Sequence, residues 1–145
     1  MLAIRRISSV FLLFAVVGCG SNIAPVSGRI TLDDVPLAQA SVIFTPDSEA
    51  LNPGPGSHAL TDKEGRYSLQ LLNGKSKGAI IGKHKVSVNA YEGDADAVPS
   101  SAGGGPFRKA LVPLIYNADT ILTFVVPVGG SDKADFDLSS KTKGK

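Results

Sequence analysis

Apolar and polar residues alternate along most of this chain with a period of two, the repeat of a strand that buries one face. The longest such run is 83–91, which sets Val86, Val88 and Ala90 inward and Lys85, Ser87 and Asn89 outward. Residues 26–32 place Val26, Ile30 and Leu32 on one face, and 40–45 form a second short run closed by Pro46. Residues 57–61 and 66–72 read as two arms of a hairpin across Asp62-Lys63-Glu64-Gly65, with Tyr67, Leu69 and Leu71 pointing one way. There Asp62 is placed to bond its own backbone in an Asx turn, and Gly65 to supply a positive φ. Residues 121–126 and 134–138 complete seven short strands, the last two separated by Pro127-Val128-Gly129-Gly130. No stretch sustains a 3.6-residue apolar period. The expected fold is all-β: a seven-stranded antiparallel Greek-key β-sandwich over residues 25–139.

Turn chemistry punctuates the series. Asp33-Asp34 marks a turn before Pro36, and Asn52-Pro53-Gly54-Pro55-Gly56 breaks both ladders and helices. Residues 92–112 carry no clear period and contain Pro99, Gly103-Gly104-Gly105 and Pro106, so a long flexible loop is expected there.

The N-terminus has a different pattern. Arg5 and Arg6 precede an apolar run at 7–17, and the small residue Gly18 precedes Cys19, the single cysteine of the chain. That is the layout of a secretory signal. The run is too short for a bilayer span, which takes about 20 apolar residues. An ordinary secretory signal would leave a lone free thiol in a secreted chain. Residues 1–18 are therefore read as a signal peptide, 19–24 as a polar tether and 140–145 as a basic tail. The segment Val16-Val17-Gly18-Cys19 resembles the lipobox of bacterial lipoproteins. That resemblance implies cleavage before Cys19, a diacylglyceryl thioether on its sulfur and an acyl chain, typically palmitate, on its new amine.

Composition narrows the function classes. Losing Arg5 and Arg6 with the signal takes Lys+Arg from 15 to 13, equal to the 13 Asp+Glu, so no net field favours nucleic acid. With one cysteine no internal disulfide can form, and stability must come from the core. Tryptophan is absent, which counts against a sugar-binding face of stacked rings.

Candidate chemistry is sparse. His58 and His84 are the only histidines, and a pair could serve as general base or zinc ligands. Each falls near the start of a strand, so exposed or edge histidines are the expectation, with no third ligand at suitable spacing. Glu92, Asp94 and Asp96 form an acidic cluster, but Ala97-Val98-Pro99 supplies no further calcium ligand. No Gly-x-Ser-x-Gly elbow surrounds a serine, and Gly103-Gly104-Gly105 is not followed by Gly-Lys-Ser/Thr. No cofactor and no metal are expected.

The ordered set of segments resembles the carboxypeptidase regulatory-like (transthyretin-like) domain. The matching pieces are Val26-Ser-Gly-Arg-Ile-Thr-Leu32, Pro36-Leu37-Ala38 and Ala40-Ser-Val-Ile-Phe-Thr-Pro46. They continue with Thr61-Asp62-Lys-Glu-Gly65-Arg66-Tyr67, Gly82-Lys83-His84-Lys85-Val86, Val112-Pro113 with Tyr116-Asn117, and Asp135-Phe136-Asp137-Leu138. Departures are Asp33-Asp34-Val35 where the family has Asp-Gly, Ile80-Ile81-Gly82 before Lys83, and His84 where an aromatic is common. The resemblance implies a non-catalytic module. The function expected is a lipid-anchored extracytoplasmic binding or envelope-scaffolding protein. Its expected partners are the membrane, through the anchor, and an envelope protein or glycan. Gly20 and Ser21, rather than an aspartate, follow Cys19, which makes the outer membrane the default destination. A solute- or glycan-binding lipoprotein is the alternative, with Tyr91, Phe107 and Tyr116 as anchors near the long loops. A hydrolase using His58 and His84 is the third reading. The related sandwich that hydrolyses 5-hydroxyisourate ends Tyr-Arg-Gly-Ser, whereas this chain ends Lys141-Thr142-Lys143-Gly144-Lys145.

Overall fold

The structure, a computed structural model, describes residues 22–47, 53–93 and 109–141. Within them the fold is all-β. The strands in chain order are β1 (Ile23–Ala24), β2 (Ser27–Leu32), β3 (Val35–Pro36), β4 (Ser41–Pro46), β5 (Ser57–Leu60) and β6 (Arg66–Ser68). They continue with β7 (Gln70–Leu71), β8 (Ala79–Ile80), β9 (Gly82–Asn89), β10 (Leu122–Val126) and β11 (Phe136–Leu138), with one 3-10 turn at Leu114–Tyr116. A five-stranded sheet has the order β10-β9-β4-β5-β7, and a second sheet runs β11-β2-β3 with β6 also on β2. A two-stranded ribbon joins β1 to β8. The two larger sheets face each other in a sandwich-like arrangement.

The core between the sheets is built on Phe44, which is fully buried. Its ring lies 6.2 Å from Phe136 and 6.4 Å from Tyr67 on the second sheet. On its own sheet it lies 5.8 Å from both Phe124 and His84. The Phe124 and Phe136 rings meet it edge-on and the other two are tilted, and edge-on pairs at such distances add roughly 0.5–1.5 kcal/mol each beyond the area they bury. The alternation expected for 83–91 is observed: Val86, Val88 and Ala90 are buried and Lys85 is exposed. Tyr67, Leu69 and Leu71 are all buried, as their spacing requires.

Four expectations are corrected. First, pairing is not wholly antiparallel, because β11 runs parallel to β2, with Phe136 opposite Ile30 and Leu138 opposite Leu32. Second, 57–61 and 66–72 do not form one hairpin. β6 pairs with β2 in one sheet, while only β7 pairs with β5 in the other. The chain changes sheets at Leu69, whose N–H donates to Val26 O at 2.9 Å. The bend keeps all three apolar side chains in the core while splitting one run into two ladders. Third, the tether is not free up to residue 24. Ile23 and Ala24 pair with Ile80 and Ala79, Ala24 is buried, and Asn22 O accepts from Ile81 N at 2.8 Å. Fourth, residues 92–112 are not loop throughout. Tyr91 bridges Ala110, and Glu92 N donates to Lys109 O at 2.9 Å, so strand-like pairing closes the base. The centre of that loop, 94–108, lies outside the described residues.

The first turn keeps its place despite lacking glycine. Asp33 and Asp34 have φ of 50° and 67°, and Leu32 pairs with Val35, which is a two-residue hairpin loop with both central residues left-handed. The Asp33 carboxylate accepts Ser140 N at 3.0 Å and Ser139 Oγ at 3.2 Å, as well as the Ser140 hydroxyl. The turn is thereby tied to the chain after β11, and these bonds hold Asp33 below the usual carboxylate range.

Candidate functional site

The outward side chains of β2 and β6 floor an open cleft of about 570 Å³. Alternation along β2 sends Ile30 into the core and Ser27 and Arg29 outward, and on β6 it buries Tyr67 and leaves Arg66 and Ser68 outward. The register sets Arg29 opposite Arg66 and Ser27 opposite Ser68. Two guanidinium-bearing residues and two hydroxyl-bearing residues therefore stand side by side on one face. Asp62, Asp132, Asp135 and the exposed Leu60 line the remainder.

One wall is made by chain that crosses β2 before β11 begins. Val26 and Ser131 form a parallel bridge, Ser27 N donates to Ser131 O at 2.9 Å, and Ala134 N donates to Ser27 O at 3.1 Å. The crossing is close. A Cβ on Gly28 would sit 2.1 Å from Ala134 O, so only glycine leaves room. The Tyr67 hydroxyl rises from the core and donates to the same carbonyl at 2.5 Å. Burial, and secondarily the Asp135 charge, pushes the Tyr67 hydroxyl far above its ordinary pKa, so it remains a donor at physiological pH. Where the ladder to β11 is interrupted, Asp135 Oδ1 takes the Arg29 N–H at 2.8 Å.

The other wall is the Asp62–Gly65 turn, and it has the geometry its sequence predicts. Asp62 Oδ1 accepts Glu64 N at 3.0 Å and Arg66 N at 2.8 Å. Gly65 has φ +73°, and a Cβ there would lie 2.5 Å from Ile30 O. Gly65 O accepts Ile30 N at 2.8 Å, which docks the turn on β2. Two of the three carboxylates lining the cleft thus already hold backbone N–H groups. Arg29 Nε donates to Glu64 O at 3.1 Å, and no ion pair to Arg29 or Arg66 forms among the described residues.

The histidines do not meet. His58 is opposite Ile43 on the outward face of the five-stranded sheet, whereas His84 is opposite Pro46 and Phe124 on the core face. His84 is 1% exposed, which corrects the expectation of an exposed or edge histidine. Its strand has partners on both sides, and its ring packs on Phe44. Nδ1 donates to Gly82 O at 3.0 Å, which sets the tautomer, and burial lowers its pKa, so the ring is neutral. A side chain on each face of one sheet cannot form a catalytic or metal-binding pair. No cluster of three potential metal ligands occurs among the described residues.

Other sequence candidates are scattered. Val16, Val17, Gly18 and Cys19 lie outside the described residues, as do Asp94, Asp96 and Phe107. Glu92 reaches Lys109 at 3.6 Å in an exposed pair. Tyr91 is exposed, while the Tyr116 hydroxyl accepts Ser139 N at 3.4 Å. Sequence reading missed Arg29 and Arg66 as site residues. Alternation makes both outward, but only the β2–β6 register makes them neighbours. Comparison with protein-family models, with curated proteins and with solved structures gives no match.

Proposed function

We propose that this chain is a lipid-anchored, extracytoplasmic binding module that works without catalysis, held at a bacterial envelope membrane through Cys19. In this reading its two larger sheets form a sandwich of the carboxypeptidase regulatory-like kind. The observation that carries the proposal is how early the folded body begins. Asn22 is already bonded to Ile81, so only Gly20 and Ser21 separate it from Cys19. Three residues of extended chain span at most about 10 Å. Acyl chains on Cys19, worth about 0.8 kcal/mol per buried CH₂, would hold the body against the bilayer and present its clefts and edges to neighbouring envelope components.

The polar cleft favours small-solute or glycan-fragment binding over pure scaffolding, because it offers convergent donors in a concavity. The anchor is tested by metabolic labelling with an alkyne palmitate analogue and membrane fractionation of wild type and Cys19→Ser. Label and membrane association in wild type, both lost in the variant, are expected. Unlabelled wild type overturns the anchored reading.

A further inference from the structure

We propose that the cleft on β2 and β6 binds an oxyanion, a carboxylate or phosphate group of its ligand, through the adjacent guanidinium groups of Arg29 and Arg66. The argument begins with the register. Residues directly opposite on antiparallel strands have Cβ atoms about 4.5–5.5 Å apart, and like charges there destabilise the sheet. Arg29 and Arg66 are such a pair, both exposed, and neither is ion-paired among the described residues. Elsewhere the fold does neutralise close cations, as where Asp47 serves Lys83 at 3.0 Å and Lys85 at 4.0 Å. The arginine pair is left for something outside the chain. Guanidinium groups match carboxylate and phosphate geometry with forked donors.

The neighbours fit the same ligand class. Ser27 and Ser68 are the next outward pair, about 6.7 Å further along β2. Their hydroxyls extend a donor surface from the charged end. Asp62 and Asp135 also line the cleft, but each has an oxygen committed to backbone N–H groups close to the arginines. Asp132 stands toward the opposite end, where it also lines the shallow cavity beside Pro25 and Gly130. The anion is held at the Arg29–Arg66 end by forked guanidinium donors rather than by net charge, since Asp62 and Asp135 keep their charge beside them. The carboxylates temper its affinity and select against ligands carrying anionic charge along their whole length.

The inference rests on the binding-module reading and is independent of the anchor. The test uses full-length protein in detergent, both wild type and Cys19→Ser, titrated with glycerol phosphate and, separately, with succinate. Binding is read as a saturable shift in thermal midpoint and by calorimetry. Arg66→Gln is the variant of choice, because the Arg66 side chain holds nothing else in the described fold. A saturable shift with either probe, at about tenfold lower affinity in Arg66→Gln, is expected. Which probe binds identifies phosphate or carboxylate as the natural group. No saturable shift with either, or equal shifts in wild type and Arg66→Gln, overturns the cleft, since excluded anions stabilise any fold non-specifically. Binding in a wild-type chain that takes no palmitate label sinks the anchor and leaves the cleft standing. Palmitoylated protein without anion binding does the reverse.

Discussion

β9 and β2 are both strands of alternating pattern, yet they are held in opposite ways. β9 lies between β4 and β10 with regular antiparallel partners along its length. Its alternate residues Val86 and Val88 are fully buried. β2 has six residues and is shared among β3, β6 and β11, one of them parallel. Where its ladder fails, side chains substitute: Asp135 caps Arg29 N, and Tyr67 holds the carbonyl that crosses Gly28. A strand satisfied by its ladder can be apolar on one face and indifferent on the other. A strand stitched by side chains from distant sequence becomes the floor of a cleft. The irregular strand carries the candidate site, and the regular one carries the core.

That contrast can be broken experimentally. Phe44→Ala should cost the most, about 3–5 kcal/mol, by opening a cavity where four rings meet. Urea denaturation would show it, and a loss under about 1 kcal/mol would mean the core is not centred there. Gly28→Ala should cost about 1–3 kcal/mol, because backbone rather than a flexible side chain lies 2.1 Å from the new Cβ. A neutral result would show that the crossing of β2 gives way freely. Tyr67→Phe should follow at about 1–2 kcal/mol, the cost of leaving a buried carbonyl unpaired. Its deficit and that of Gly28→Ala should be non-additive in the double variant, since both act on the Ala134 carbonyl.

Acidification probes the core side. The pKa of His84 is lowered in the fold from an ordinary 6.5, so the unfolded chain binds a proton that the folded chain refuses. Its contribution is complete above pH 6.5 and is lost as the pH falls from there toward the folded value. The slope should reach at most about 1.4 kcal/mol per pH unit and be absent in His84→Leu. A wild-type profile matching that of the variant between about pH 7 and 5.5 would deny the refusal. The smallest effect belongs to Arg66→Gln. In dilute chloride buffer without oxyanions it should gain a few tenths of a kcal/mol by relieving like-charge repulsion, a gain that thermal melts at two salt concentrations would show shrinking.

The sequence made β9 legible because one period over nine residues has only one interpretation. The same alternation, followed two residues back from Val86, puts position 84 on the buried face. Pattern outweighs residue type at His84, whose imidazole is buried against Phe44 in spite of its polarity. The Asp62 turn was legible because its bonds are local, reaching two and four residues ahead. The Asp33-Asp34 turn was legible in place, while its fastening to Ser139 and Ser140 was not. Nothing local announces that the 66–72 run leaves one sheet for the other at Leu69, since both halves keep the same buried face. The parallel partnership of β2 and β11, and with it the cleft, depends on contacts between opposite ends of the body. Periodicity assigns a side chain to a face and carries no information about which strand becomes its neighbour.

The parallel pairing of β2 with β11 also has a mechanical meaning. Tension applied before β2 and after β11 would pull the two strands along their shared direction from opposite ends. Once the short β1 ribbon yields, the Val26–Ser131 bridge and the Ile30–Leu32 ladder lie along the line of force and bear the load together. Bonds loaded in shear must fail collectively, whereas an end-on hairpin unzips one bond at a time. A body tethered at one terminus and grasped near the other would resist extension through this one seam.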